Sequence, residues 1–448
     1  MRIFSTLSTY LFLSSILLIG QDKYSITTFH DSLNIRSYLE LMLENELDLT
    51  TQYKLDEILS NDGTVIYKKT HEEKYLDTIF IESAVPLPKN ISYHLTSSLQ
   101  KTNIDIQFDK KVKQLRQKYN FIQAPIDYKL GLIGPNSVVG ILNIQPHFEN
   151  QISAIVGLNQ PENKPSLTGK VFIHLENIFE NAGSYEINWD RIDSLTQKLD
   201  FSFYQPHIFK LNMGIRMNYS QEVFNALYSI AELENQLQFS TYYVPSLFLG
   251  ISQGVSRPTL RGKQEGYSKV YYKSFSLSIQ SDKTNHRIYP TMGYKYKLQI
   301  DLGIQNQSRF LESDYEIKSF FPAKSSFFVM LGVKGKFLNS NNRAIPKSRL
   351  FYFGGNSTLR GFPEKYFISN NYQVTTLEVG HFSDSQLMGL IFFDVATIMP
   401  NTFDFFKVGY GVGVSQYNKN SIISLYFGVP GNFSMGNGKL HIKWIARL

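Results

Sequence analysis

The sequence predicts an all-β transmembrane barrel of about sixteen antiparallel strands, preceded by a small α+β region. Three observations carry that prediction. From about Ser153 onward, apolar and polar residues alternate in segment after segment. The segments run for about ten residues, the length of a tilted strand crossing a bilayer. The 448-residue chain is also rich in aromatics (14%), modest in charge (19%) and free of cysteine, a balance that suits β-structure with one apolar face.

The chain starts with Arg2 followed by the apolar run "YLFLSSILLIG", Tyr10 to Gly20, and then the polar "QDKYS". This is the shape of a secretory signal peptide over residues 1–20, cleaved near Gly20. The run is short for an anchor helix that would span a bilayer. No cysteine follows it, so a lipoprotein anchor is excluded. Without cysteine there is also no disulfide scaffold, thiolate metal site or cysteine nucleophile.

Residues 25–75 are mixed. "NIRSYLELMLENEL", Asn34 to Leu47, places Ile35, Leu39 and Leu43 at helical spacing. "TTQYKLDEIL" and "TVIYKKT" flank Asn61-Asp62-Gly63, a hairpin signal. From 76 to 148 the order is clearer. "LDTIFIES" reads as a strand and is broken by Pro86 and Pro88. Asn90 caps a helix carrying Ile91, Leu95 and Leu99, and a second helix from Asp109 turns Val112, Leu115 and Tyr119 inward. "PIDYKLGLIG" and "SVVGILNIQP" follow as two strands around Pro135-Asn136.

The remainder, 150–448, is the barrel region. In "IFKLNMGIRMNY" the apolar residues Phe209, Leu211, Met213, Ile215, Met217 and Tyr219 alternate with polar residues and glycine. In "YKYKLQIDLGI" Tyr294, Tyr296, Leu298, Ile300, Leu302 and Ile304 do the same. In the last segment Leu440, Ile442, Trp444, Ala446 and Leu448 share one face. A soluble sandwich also alternates, but here the polar face carries Arg216, Lys295, Lys297, Lys443 and Arg447, which a wet lumen accommodates and a buried core does not. Only the strand ends within Gln221–Val244 resist placement. The net charge of +7 is spread, with no basic block beyond pairs such as Lys110-Lys111, so it reads as lumen or surface lining and not as a nucleic-acid site.

Motifs for chemistry are weak. "GYGVGVS", Gly409 to Ser415, lies in an alternating strand with no helix after it, so its glycines ease strand packing and do not cradle phosphate. The nine histidines show no metal-ligand spacing. No nucleophile elbow occurs. No catalytic residue, metal or cofactor is assigned.

One loop stands apart. "FYFGGNSTLRGF" contains Gly354, Gly355, Arg360, Gly361 and Phe362. Taken alone, an Arg-Gly-Phe in a loop is a solvated arginine. Together with its companions it resembles the lid-loop motif of the BamA/TamA superfamily of outer-membrane assembly and secretion barrels. The companions occur in the family's order. "ENIFENAGSYEI" has Asn177, Phe179 and Gly183, "FYQPHIF" has Pro206, and "RIYPTMGYKY" has Pro290 and Gly293. "TTLEVGHF" and "LIFFDVATI" carry Glu378 and Asp394. Residues 76–148 are similar to a POTRA (polypeptide-transport-associated) domain, and 25–75 to an incomplete one. The chain departs from the pattern at Val395-Ala396, where a glycine often follows the aspartate, and at Leu448, where Phe or Trp is usual.

The resemblance implies that the lid loop, 338–366, folds into the lumen and that Arg360 pairs there with Glu378 and Asp394. It implies a bacterial outer-membrane barrel with its POTRA region in the periplasm, acting without cofactor or enzymatic chemistry. The implied partners are outer-membrane lipids, unfolded outer-membrane or exported protein clients, and periplasmic or lipoprotein accessory subunits. The segments 76–83 and 137–144 are candidate POTRA edges for receiving a client strand. Three roles remain open on the residues: assembly factor, two-partner-type secretion pore for a dedicated client, and passive pore retaining the fold.

Overall fold

The computed structural model describes residues 75–447 except 103, 105, 120, 123–124, 133–136, 160–165, 209, 240–245, 325, 342–343, 357, 384–385, 399–405, 419 and 432–437, together with three strands before them. The expected signal segment, the helix expected at 34–47 and Leu448 lie outside the described residues. Strands β1 (Tyr24–Phe29), β2 (Tyr53–Leu59) and β3 (Val65–His71) form a sheet in the order β1-β3-β2. β2 and β3 pair antiparallel from Tyr53 opposite His71 to Leu59 opposite Val65, as the Asp-Gly signal between them predicts.

Next come β4 (Tyr75–Glu82), α1 (Lys89–Leu99), α2 (Ile106–Lys118), β5 (Asp127–Leu132) and β6 (Ser137–Asn143). The periodic residues Ile91, Leu95, Leu99, Val112 and Leu115 are all buried. The helix starts differ from expectation. The Ser92 amide donates to the Pro88 carbonyl (3.0 Å), so Pro88 closes the first turn and Asn90 sits inside α1. α2 opens at Ile106, ahead of Asp109. The sheet order is β4-β6-β5, with β4 parallel and β5 antiparallel to β6. This corrects the expectation for 137–144. β6 is hydrogen-bonded on both sides and has no free edge to offer, whereas β4 lies at one edge.

Sixteen strands then close a barrel in which every neighbouring pair is antiparallel. They are β7 (Gln151–Asn159), β8 (Ser166–Glu176), β9 (Ser184–Arg191), β10 (Gln197–Gln205), β11 (Met213–Phe224), β12 (Tyr228–Phe239), β13 (Ser246–Pro258), β14 (Val270–Asp282), β15 (Gly293–Gln305), β16 (Ser308–Pro322) and β17 (Phe327–Ser340). After two short strands inside the connecting loop, β18 (Phe351–Phe353) and β19 (Phe367–Ser369), the wall resumes with β20 (Asn371–Phe382), β21 (Leu387–Ile398), β22 (Phe406–Tyr417), β23 (Ser421–Pro430) and β24 (Lys439–Arg447). The region the sequence left blurred resolves into β11 and β12. They are joined by a tight turn in which Asn225 and Ala226 adopt positive φ (48° and 51°), without the glycine that would have advertised it.

Burial is inverted relative to a soluble protein. Ile300, Leu302, Leu440, Ile442 and Trp444 are exposed on the outer face, while Asp301 and Gln305 are buried inward. That is the pattern of a wall with lipid outside and a polar lumen inside. The lumen is not uniformly polar, however. Phe320, Phe328, Met330, Met388, Leu390 and Phe392 form an apolar cluster on the inner faces of β16, β17 and β21. The run "LMGLIFF" from Leu387 to Phe393 is apolar on both faces, where strict alternation would place polar residues inside.

Because the strands alternate in direction, β7 begins at the end of the barrel where the chain enters it, here the proximal end. The connection from β17 to β20 lies at the opposite, distal end.

Candidate functional site in the barrel lumen

The β17–β20 connection holds itself together before it touches the wall. β18 and β19 pair from Phe351 opposite Ser369 to Phe353 opposite Phe367. Between them, Thr358 Oγ1 accepts from the Gly354 amide (2.6 Å) and donates to the Gly354 carbonyl (2.8 Å). The Gly355 amide donates to the Leu359 carbonyl (3.0 Å), and Asn356 N donates to Glu364 Oε1 (2.8 Å). Gly354, Gly355 and Gly361 all take positive φ, which other residues adopt only under strain. One side of the loop is apolar. Leu359 and Phe353, with Phe351, Phe362 and Phe367, pack against the luminal residues Tyr372, Val374 and Ala396.

Arg360 is carried on the tip of this unit. Its Nη1 donates to Glu378 Oε1 (2.6 Å), and its Nε and Nη2 donate to the two oxygens of Asp394 (2.8 and 2.7 Å). Its backbone amide donates to Asp394 Oδ2 (3.2 Å), and Thr376 Oγ1 donates to Asp394 Oδ1 (2.9 Å). The guanidinium lies 3.7 Å from the centroid of the Phe392 ring. Arg360 is 7% exposed and Asp394 is fully buried, so the charges compensate each other away from bulk water. The two-toothed contact on Asp394 uses the guanidinium's fixed fork, which a lysine lacks. Glu378 and Asp394 sit on the inner faces of β20 and β21, placed there by alternation with apolar neighbours on the lipid side.

The wall is shaped to receive the tip. A Cβ added at Gly409 on β22 would lie 1.8 Å from the Arg360 carbonyl oxygen, and one at Gly361 would lie 2.6 Å from the Val429 carbonyl oxygen on β23. The "GYGVGVS" glycines therefore do more than ease strand packing, because Gly409 makes the room in which the lid tip rests. Sequence reading also passed over the lid's other fastenings. Arg349 Nη2 donates to Glu312 Oε2 on β16 (2.6 Å), with its guanidinium 3.7 Å from the Tyr272 ring centroid. Lys365 Nζ donates to Glu222 Oε1 on β11 (2.9 Å). The bases are on the lid and the acids on the wall. Glu312 and Glu222 could have been nominated from their luminal phase. Their partners could not, because nothing in the loop sequence tells which base reaches which strand.

Arg349→Ala is expected to destabilise the folded barrel by about 1–3 kcal/mol, because an accepting carboxylate loses its donor. Glu312 retains 19% exposure and is rehydrated in place. The temperature at which gel mobility shifts to the unfolded position measures this effect. It should fall less than for a substitution at Arg360.

Residues 177–439, more than half of the chain, match the family model described as the Omp85 superfamily domain. The chain belongs to the Omp85 superfamily. Among solved structures, it is similar to BamA from Haemophilus ducreyi lacking POTRA domains 1–3, at 14% identity and a TM-score of 0.50, with 97% of this chain and 96% of that one covered. It is also similar to CdiB from Escherichia coli (13% identity, TM-score 0.62, 93% and 85% covered) and to CdiB from Acinetobacter baumannii (12%, 0.57, 93% and 81%). No curated protein sequence matches it. At these identities the neighbours establish the barrel fold. An Omp85 barrel sits in the bacterial outer membrane, which assigns the exposed apolar band to lipid.

Proposed function

We propose that this Omp85 barrel assembles or exports other proteins at the outer membrane, without cofactor or catalytic residue. In this reading residues 1–20 are removed on export. Residues 76–148 act as a periplasmic POTRA domain, 25–75 as an incomplete one, and 150–448 as the barrel with the lid in the β17–β20 connection, 341–370; the expected start at 338 falls within wall strand β17. The edge of β4 receives a client strand by β-augmentation. The lid tip, fastened by Arg360 to Glu378 and Asp394, keeps the resting lumen in one shape.

One observation carries the reading. The barrel closes between β24 and β7 through Ala446 opposite Ile152 and Arg447 opposite Gln151 alone, among the described residues. Every other seam is longer, such as β15–β16, which is registered from Gly293–Phe320 to Gln305–Ser308. From Ser153 to Asn159, β7 therefore has a registered partner on the β8 side only. Inside a bilayer an unpaired strand edge is costly, and a client strand that pairs with it removes the cost. Folding of the client then supplies the driving free energy.

The chain has no cysteine, so Ile152→Cys with Ala446→Cys introduces one pair across the seam, at positions directly opposite each other. Oxidation is expected to deplete several unrelated outer-membrane proteins, and reductant to restore them, in quantitative outer-membrane proteomics. Loss of a single exported protein would identify a dedicated secretion pore. An unchanged proteome with altered small-solute uptake would identify a passive pore and overturn the proposal.

A further inference from the structure

The β14–β15 connection, residues 283–292, reaches across the proximal mouth of the barrel and does not lie on its rim. Asn285 fastens the turn to itself: its Oδ1 accepts from the Thr291 and Met292 amides (3.0 Å each) and its Nδ2 donates to Thr291 Oγ1 (2.9 Å). From this base two side chains point to distant strands. Arg287 donates through both terminal nitrogens to Glu176 at the end of β8 (2.5 and 3.2 Å). Glu176 is 9% exposed and also accepts from the Glu149 amide (2.8 Å). Tyr289, stacked on His286 (centroids 3.5 Å), lies face to face with Phe382 of β20 (5.2 Å, 22°) and edge-on to Tyr417 of β22 (5.0 Å, 60°). With Ile288 it covers the proximal side of the luminal apolar cluster. Beyond the tyrosine a cavity of about 310 Å³ continues along that cluster as far as Arg360.

An apolar patch on the inner wall is costly wherever water reaches it. The barrel could have avoided it with the polar residues used elsewhere in the lumen. Instead, the patch is kept, and an aromatic side chain held by an ion pair is laid over it. We propose that the patch is a docking site for an aromatic side chain, Phe or Tyr, of an extended client polypeptide, with Tyr289 as an internal stand-in. Release of Arg287 from Glu176 lets the turn swing away and opens the site to the cavity. This rests on the client-transit reading above. The chemistry of the site is read from its present occupant: offset and edge-on aromatic packing, with room beside it for a further side chain.

The test uses the purified full-length barrel with a photoreactive benzoylphenylalanine in place of Met388 and a synthetic peptide of alternating Ala and Phe. A peptide of alternating Ala and Ser is the control. Arg287→Gln is expected to raise cross-linking of the Phe peptide at least fivefold over the native turn and to leave the Ser peptide at background. Arg287→Lys, which keeps a charged donor for Glu176, is expected to hold cross-linking of the Phe peptide near the native level. Tyr289→Ala, which leaves the ion pair intact, should raise cross-linking as well and covers the case in which Arg287→Gln does not fold. Equal labelling by the two peptides, or none above background in either opened variant, overturns the docking site. Cross-linking of the Phe peptide in Arg287→Lys as high as in Arg287→Gln overturns the role of the ion pair. Because the readout is on purified protein, a negative result here and an unchanged proteome in the seam experiment are separate outcomes.

Discussion

Arg360→Ala is expected to cost the barrel about 3–5 kcal/mol, the penalty for leaving a buried charge without its partner. The magnitude follows from the asymmetry of the site. Asp394 is fully buried and accepts three of its hydrogen bonds from Arg360, two from the side chain and one from the backbone. Removing the guanidinium leaves Thr376 as its remaining side-chain donor. Glu378 is less enclosed and loses less. The expected results are a lower temperature for the heat-induced shift in gel mobility and a lower yield of barrel in the membrane. Arg360→Lys should resemble the alanine variant more than the native protein, because one ammonium cannot span both oxygens of Asp394 and also reach Glu378. In a double-mutant cycle, Arg360→Ala with Asp394→Ala should cost less than the sum of the single changes, since the second removes the stranded carboxylate. Unchanged gel mobility on heating in Arg360→Ala would show that the lid tip does not contribute to barrel stability.

Gly409→Val is expected to expel the lid tip while leaving the wall intact. The Arg360 carbonyl lies where the first side-chain carbon would stand, and both atoms belong to fastened backbone: a wall strand paired on both sides and a loop held by its own hydrogen bonds. Neither can retreat by the more than one ångström needed without breaking them. The lid should therefore leave the lumen, and in planar bilayers the conductance of the barrel should rise severalfold. Gly389→Val is the matched control. It lies on the neighbouring strand β21, where an added Cβ meets nothing within 4 Å, and valine suits a lipid-facing strand position. Equal conductance in the two variants would show that Gly409 is not the seat of the lid.

Much of this arrangement was legible in the sequence, and the reason is periodicity. In a strand, successive side chains face opposite sides, so one recognised phase assigns every residue to lipid or lumen. That is how Glu378, between Leu377 and Val379, and Asp394, between Phe393 and Val395, could be placed inward; their pairing with Arg360 was implied by the family resemblance of the lid motif. The phase carries no information about distance across the lumen. Arg349 with Glu312, Lys365 with Glu222 and Arg287 with Glu176 each join residues far apart in the chain through loops whose paths no local rule dictates. The β6 segment shows the same limit in the sheet: a strand's sequence says that it pairs, but not on how many sides.

The sequence by itself determined the class of the molecule. Alternation, strand length and the Gly-Gly to Arg-Gly-Phe spacing of the lid, with an acid in each of the two following strands, are local and survive without any knowledge of the fold. The tertiary structure decided what fills the interior. It laid the Arg360 backbone against Gly409, showed two registered pairs closing the β24–β7 seam among the described residues, and seated Tyr289 on an apolar patch that alternation would have made polar. These features depend on how the closed sheet brings remote strands face to face across a lumen. Such contacts are set by the curvature of the wall and the reach of its loops, which neighbouring residues in a chain do not encode.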